Sequence, residues 1–269
     1  MRINVEYFTS TGNTLWLARK VTRLLEAQGH EVRLFEAIKD GLGFAEDCDL
    51  IGILYPVWGS TLPDPLQDLV CELPEGGGKR MFLIGTCAAF SGDTGMFWKR
   101  VLEQKGYGCF YLDHVVMPSN VSIPGFNMWP APDEEERDRV LGKAEERLAE
   151  IVRAILAGEP KNDGTSLMDK IGGGSQRTFY GVVDLWKHMM TVDAERCSSC
   201  GLCYRMCPTE NIRLLEDGRV QFGSACIFCL KCYNLCPENA VLIGKASRND
   251  RRFRRYKGPC SEIKPVLYR

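Results

Sequence analysis

CSSCGLCYRMCP (residues 197–208) and CIFCLKCYNLCP (residues 226–237) decide how this chain is read. Each runs C-x2-C-x2-C-x3-C-P, and the second repeats the first 29 positions later. Such a run supplies thiolates for a [4Fe–4S] cluster. Three cysteines at intervals of three form a tight loop around one cluster, and the fourth, followed by proline, opens away from it. The competing reading is a pair of four-cysteine zinc sites, since zinc also takes four thiolates. Zinc modules usually bring two C-x-x-C pairs separated by a loop, whereas here three cysteines share one run that ends in Cys-Pro. A disulfide framework is the other alternative, and nothing else in the chain looks secreted.

Over roughly residues 189–245 the chain resembles the two-cluster bacterial-type ferredoxins, with all eight ligand positions filled. The resemblance implies a small α+β domain, expected over residues 189–247, with crossed ligation of two [4Fe–4S] clusters. Cys197, Cys200, Cys203 and Cys236 would hold the first, and Cys226, Cys229, Cys232 and Cys207 the second.

The chain has 269 residues, 45% of them hydrophobic and 26% charged, enough for a packed core in one large or two smaller domains. Five of the 13 cysteines, Cys48, Cys71, Cys87, Cys109 and Cys260, lie outside the two motifs without a pairing pattern. That usage points to a reducing cytoplasm. No apolar run has the length of a signal peptide or a membrane span. Charge is uneven: residues 1–188 carry 20 Lys and Arg against 27 Asp and Glu, and residues 189–269 carry 14 against 8. Each tetrathiolate cluster adds about −2, so the basic half becomes less basic once loaded. The tail RNDRRFRRYKG, within residues 248–269, therefore reads as a solvated segment that packs back on the clusters or meets an acidic partner. It does not read as a nucleic-acid arm.

Upstream, strand and helix patterns alternate. Apolar runs at 3–8, 31–35, 50–55, 79–86 and 107–117 read as strands. Apolar residues at helical spacing from Leu15 to Leu25, at 65–73, at 94–105 and from Val140 to Ile155 read as helices. Five strands alternating with helices predict a parallel sheet covered on both faces. The first strand runs into FTSTGNT (8–14) and then a helix, a hydroxyl-rich turn suited to a phosphate. An ordinary hydroxyl-rich helix cap is the plainer alternative.

Thr9, Ser10, Thr11, Gly12, Asn13 and Thr14 match the [ST]-x-T-G-N-T phosphate loop, and here the chain resembles a flavodoxin over residues 1–157. The resemblance implies an α/β flavodoxin-like doubly wound parallel five-stranded sheet of order 2-1-3-4-5 that binds FMN at the carboxyl ends of its strands. Two further loops match. Pro56, Val57, Trp58 and Gly59 correspond to the loop whose aromatic residue stacks on the flavin ring. Thr86, Cys87, Ala88, Phe90, Gly92 and Asp93 correspond to the loop lining its other side. No acid follows Trp58-Gly59, a departure that bears on flavin potential.

Cys87 reads as a small buried residue, and His114 and His188 as ordinary strand and linker residues. Residues 118–132 form a long connection whose Phe126, Met128 and Trp129 either cover the flavin, meet the cluster domain or plug a local gap. Residues 158–188 are expected as a linker, with GGGS at 172–175 and a short helix around Val182–Met189. No G-x-G-x-x-G turn, Ser-His-Asp set or H-E-x-x-H is present. The whole chain resembles flavodoxin–ferredoxin fusion proteins. This implies electron transfer between iron–sulfur clusters and FMN, to or from redox partner proteins. A flavin-dependent reductase with its own small substrate is the alternative, and a redox sensor a third.

Overall fold

The computed structural model describes residues 1–42 and 47–269, and the side chains of all of these except Phe179 and Asp184. The described residues divide into two compact units. The first holds Met1–Thr9, Asn13–Met117 and Arg139–Tyr180; the second holds Ser10–Gly12, Pro118–Asp138 and Gly181–Arg269.

The first unit is built on β1 (Arg2–Tyr7), α1 (Asn13–Glu26), β2 (Glu31–Glu36), α2 (Ala37–Asp40), β3 (Leu50–Pro56), α3 (Asp64–Glu72) and β4 (Arg80–Cys87). It continues through α4 (Thr94–Gln104), β5 (Gly108–Val116), α5 (Glu134–Ala157), which enters this unit at Arg139, and β6 (Lys161–Asn162). All strands pair in parallel, in the order β2-β1-β3-β4-β5-β6. The first five positions follow the flavodoxin-like order 2-1-3-4-5. The sheet thus has six strands where the sequence pattern predicts five. The sixth contributes only two residues, too few to leave a period-2 pattern.

Strands buried on both faces read as continuous apolar runs. In β3, Leu50, Ile51, Ile53 and Leu54 are 3% exposed or less, and in β4 Met81 to Ile84 are equally hidden. α1 buries Leu17, Ala18, Val21 and Leu25, one stripe at a spacing of three to four. Gly29 (φ +80) ends that helix, with its N–H on Glu26 O and the His30 N–H on Leu25 O.

Most of the stretch expected as linker is ordered. α6 (Leu167–Tyr180) carries the GGGS segment in its middle, and α7 (Val183–Lys187) follows. Glycine weakens a helix by roughly 1 kcal/mol each relative to alanine. Here its missing side chain permits close approach. A Cβ on Gly173 would stand 2.1 Å from Asp93 Oδ1, and one on Gly172 would stand 2.8 Å from the Phe90 ring.

In the second unit, β7 (Met190–Val192), α8 (Leu202–Arg205) and β8 (Ile212–Leu214) form one half. β9 (Val220–Phe222), α9 (Lys231–Leu235) and β10 (Val241–Ile243) form the other. β7 pairs antiparallel with β10, and β8 with β9, so each two-stranded sheet takes one strand from each half. The tail packs back within this unit: Phe253, Arg255 and Tyr256 are buried, and Arg255 covers the Tyr233 ring at 3.5 Å.

A tight point of the first unit's core is Gly52 on β3. Its register partner on β4 is Phe82, and a Cβ on Gly52 would sit 2.1 Å from the Phe82 ring. Gly52→Ala should destabilise the fold by about 1–3 kcal/mol through overpacking. In chemical denaturation its midpoint should fall, and the added Phe82→Leu change should restore part of the loss. An unchanged midpoint would show that the ring has room to move.

Candidate functional site

Thr9, Ser10, Thr11 and Thr14 are all 5% exposed or less at the start of α1. Gly12 turns the chain with φ +105. Thr14 Oγ1 lies 3.0 Å from Thr86 Oγ1, and Thr86 donates to Tyr55 O at 3.3 Å. The β1–α1 turn and the end of β4 are thereby joined. Thr11 Oγ1 accepts from Asn120 Nδ2 at 3.0 Å. Ser10 Oγ is buried with no hydrogen-bond partner. A buried hydroxyl without a partner is costly. Beside the N-terminus of a 14-residue helix, it fits an anion such as a phosphate.

Val57 N–H donates to Thr86 O at 2.9 Å, beside Pro56. Trp58 closes a tight turn with Thr61 through two backbone hydrogen bonds and meets Phe8 edge-on at 6.0 Å. Gly59 (φ +53) lies under Tyr180: a Cβ there would be 2.8 Å from its ring. On the other loop Ala88 and Phe90 are exposed, and Gly92 (φ +57) is buried. Burial pushes the Cys87 thiol up to about 12, so it is held protonated at neutral pH.

Sequence spacing gives no sign of what ties the two loops together. Arg177 of α6 grips both Asp93 carboxylate oxygens, at 2.6 and 3.2 Å, and donates to Ser60 O at 3.0 Å. Ser60 Oγ donates to Gln176 Oε1 at 2.6 Å. These partners stand 84 and more positions apart. His114 is a second residue that spacing did not single out. Its Nδ1 pairs closely with Asp163 Oδ2 and lies 3.3 Å from Ser91 Oγ. Neighbouring Asp113 is buried against Arg147 (2.7 Å) and Lys161 (2.6 Å).

The eight motif cysteines fall into two recesses. Cys207, Cys226, Cys229 and Cys232 line the first; Cys197, Cys200 and Cys236 line the second, and Cys203 reaches both. The recess walls are mainly apolar. The backbone repeats with the sequence. Left-handed φ values recur 29 positions apart at Ser199 and Phe228 (53° and 55°), Gly201 and Leu230 (68° and 59°), and Glu210 and Asn239 (54° and 49°). Non-glycine residues take that conformation rarely, and such strain concentrates at functional sites. Cys226 Sγ accepts from Phe228 N–H at 3.4 Å, and Cys236 Sγ from Ala240 N–H at 3.3 Å. Burial raises the Cys203 thiol to about 11 and Cys229 to about 12, and raises Cys226 and Cys232 too. As free thiols they hold their protons, which a bound metal would displace. Four soft sulfur donors around a small apolar recess fit a [4Fe–4S] cluster.

The pair beside the Cys87 loop carries a pH signature. Its hydrogen bond to Asp163 raises His114 despite burial, and His114 lowers Asp163 against the upward push of its own burial. The histidine contribution to stability is full below the unfolded value of about 6.5 and is lost as pH rises through the raised folded value. The aspartate contribution is present above about 3.9 and is lost as pH falls through the lowered one. His114→Gln should therefore cost more stability near about pH 5.5 than near about pH 8.5 in paired thermal melts. An equal cost at both would contradict the pairing.

Residues 189–237 match the family model described as the 4Fe-4S dicluster domain. None of the curated proteins compared with the chain matches it. Solved structures similar to it include flavodoxin 2 of Bacillus cereus, 20% identical over 58% of this chain and 99% of that one, with a TM-score of 0.41. The Streptococcus pneumonia TIGR4 flavodoxin is 19% identical over 58% and 99%, with a TM-score of 0.39. The rubredoxin oxygen:oxidoreductase of Desulfovibrio gigas is 13% identical over 58% and 36%, with a TM-score of 0.38. The flavodoxin-like assignment rests on the strand order of the sheet itself. The chain thus joins an α/β unit of flavodoxin-like strand order to a segment that matches the 4Fe-4S dicluster domain.

Proposed function

We propose that the chain is an electron relay that holds two [4Fe–4S] clusters and one FMN and exchanges electrons with redox partner proteins. The observation that carries this reading is the mixed lining of the two recesses: Cys207 stands with Cys226, Cys229 and Cys232 of the other half, and Cys236 with Cys197, Cys200 and Cys203. The clusters pass one electron at a time, and a flavin holds one or two; together they join a one-electron chain to a two-electron carrier.

The residues of the chain have separate tasks in this reading. Cys197, Cys200, Cys203 and Cys236 bind one cluster, and Cys207, Cys226, Cys229 and Cys232 the other, each releasing its proton on binding. The N–H groups of Phe228 and Ala240 donate to ligand sulfurs and stabilise their negative charge. Ser10 donates its hydroxyl to the flavin phosphate, helped by the N-terminus of α1. Trp58 and the loop of Phe90 would hold the flavin, and Arg177 fixes the spacing of those loops through Asp93 and Ser60. No helix among the described residues is long and apolar enough to cross a membrane.

Purified anaerobically, the protein should contain about eight irons and one FMN per chain. Ser10→Ala should weaken FMN by about tenfold or more, since a hydrogen bond to a charged group is worth about 1.5–3 kcal/mol, and should leave iron unchanged. A colourless protein carrying zinc, or an unaltered flavin titration in the variant, would overturn the corresponding half of the proposal.

A further inference from the structure

Lys231 stands between two ligand cysteines, in the run Cys229-Leu230-Lys231-Cys232, and it lines the recess of Cys207, Cys226, Cys229 and Cys232. Lysine at the start of so short a helix would ordinarily extend into water. This one is 1% exposed. Its ammonium donates to Tyr268 Oη at 3.3 Å and lies 4.6 Å from the centre of the Tyr268 ring. Tyr268 is itself fixed, since its N–H donates to Arg205 O at 2.8 Å. The next residue, Arg269, covers the Tyr204 ring at 4.4 Å and pairs with Glu210 at 3.0 Å. The C-terminal residues thus close over a buried cation.

The other recess is built differently. The position 29 residues before Lys231 is Leu202, an aliphatic residue. One cation beside that recess, Lys257, is exposed and bound to Cys236 O (2.7 Å) and Asn239 Oδ1 (2.6 Å), while buried Arg255 donates to Val241 O at 3.3 Å and lies over the Tyr233 ring. An exposed charge is screened by water and salt, whereas a buried one acts on its neighbours at much lower effective dielectric.

We propose that Lys231 sets the reduction potential of the cluster in its recess, raising it above the value the same cluster would have without this buried cation. The inference rests on the iron–sulfur reading above. Reduction adds one electron, and so one negative charge, to a tetrathiolate cluster that is already negative. A fixed cation beside the cluster stabilises the reduced form more than the oxidised one. Tyr268 contributes by keeping water from the ammonium and by presenting its ring face to the cation.

The test is an anaerobic redox titration of the full chain with dithionite, followed by electron paramagnetic resonance. The signal that Cys226→Ser perturbs is assigned to the cluster beside Lys231. In Lys231→Met, the one-electron reduction equilibrium of that cluster should fall at least tenfold, a shift of about 59 mV to more negative potential. The other cluster should titrate as in wild type, and Lys231→Arg should stay close to wild type. An unchanged potential in Lys231→Met, or an equal shift of both clusters, overturns the inference. Should Lys231→Met fail to load that site, Tyr268→Leu decides, because it keeps the lysine and admits water. A smaller negative shift of the same cluster supports the inference, and no shift overturns it. A wild-type chain without iron would instead overturn the iron–sulfur reading itself.

Discussion

The second unit depends on the exchange between its two halves. β7 of one half pairs with β10 of the other, and β8 with β9. The same exchange carries Cys207 out of its own loop towards Cys226, Cys229 and Cys232, and Cys236 back towards Cys197, Cys200 and Cys203. The proline after each fourth cysteine redirects the chain at that point. Around this crossing Ile123, Met190, Leu230, Tyr233, Val241 and Ile243 form a buried hydrophobic cluster, with Cys203, Cys232 and Cys236 among the partly buried residues packed against it. With ligand cysteines in its wall, loading of the recesses and folding of the unit are one equilibrium in the proposed reading.

The first unit gains its order from a different source. Its parallel strands are apolar on both faces, so hydrophobic burial fixes the sheet, and the loops at the strand ends are left to carry polar groups. α6 then binds those loops to one another. Arg177 reaches Asp93 and Ser60, while Gly172 and Gly173 let the helix backbone approach to within reach of them. In the proposed flavin site, loop spacing would be a property of this helix as much as of the loops.

The eight cysteines and the strand–helix alternation are legible in the sequence because both depend on spacing along the chain. Cys197 to Cys207 announce their chemistry within eleven positions. Leucine and isoleucine runs, joined in β4 by Met81 and Phe82, mark β3 and β4 through burial alone. What escapes is whatever depends on the tertiary neighbour. GGGS has the composition of a flexible linker, yet it lies mid-helix because Asp93 and Phe90 occupy the space its side chains would need. His114 meets Asp163 across 49 positions, and β6 is too short to show a period. Lys231 looks like one more surface lysine until Tyr268, 37 positions further on, is found over it.

The crossing is tested most directly by replacing each fourth cysteine in turn and recording electron paramagnetic resonance spectra of the reduced protein. The account predicts that Cys207→Ala alters the same cluster signal as Cys226→Ser, and that Cys236→Ala alters the signal perturbed by Cys197→Ser. If Cys207→Ala instead alters the signal shared with Cys197→Ser, each half keeps its own cluster, and the exchange on which this description of the second unit rests is wrong.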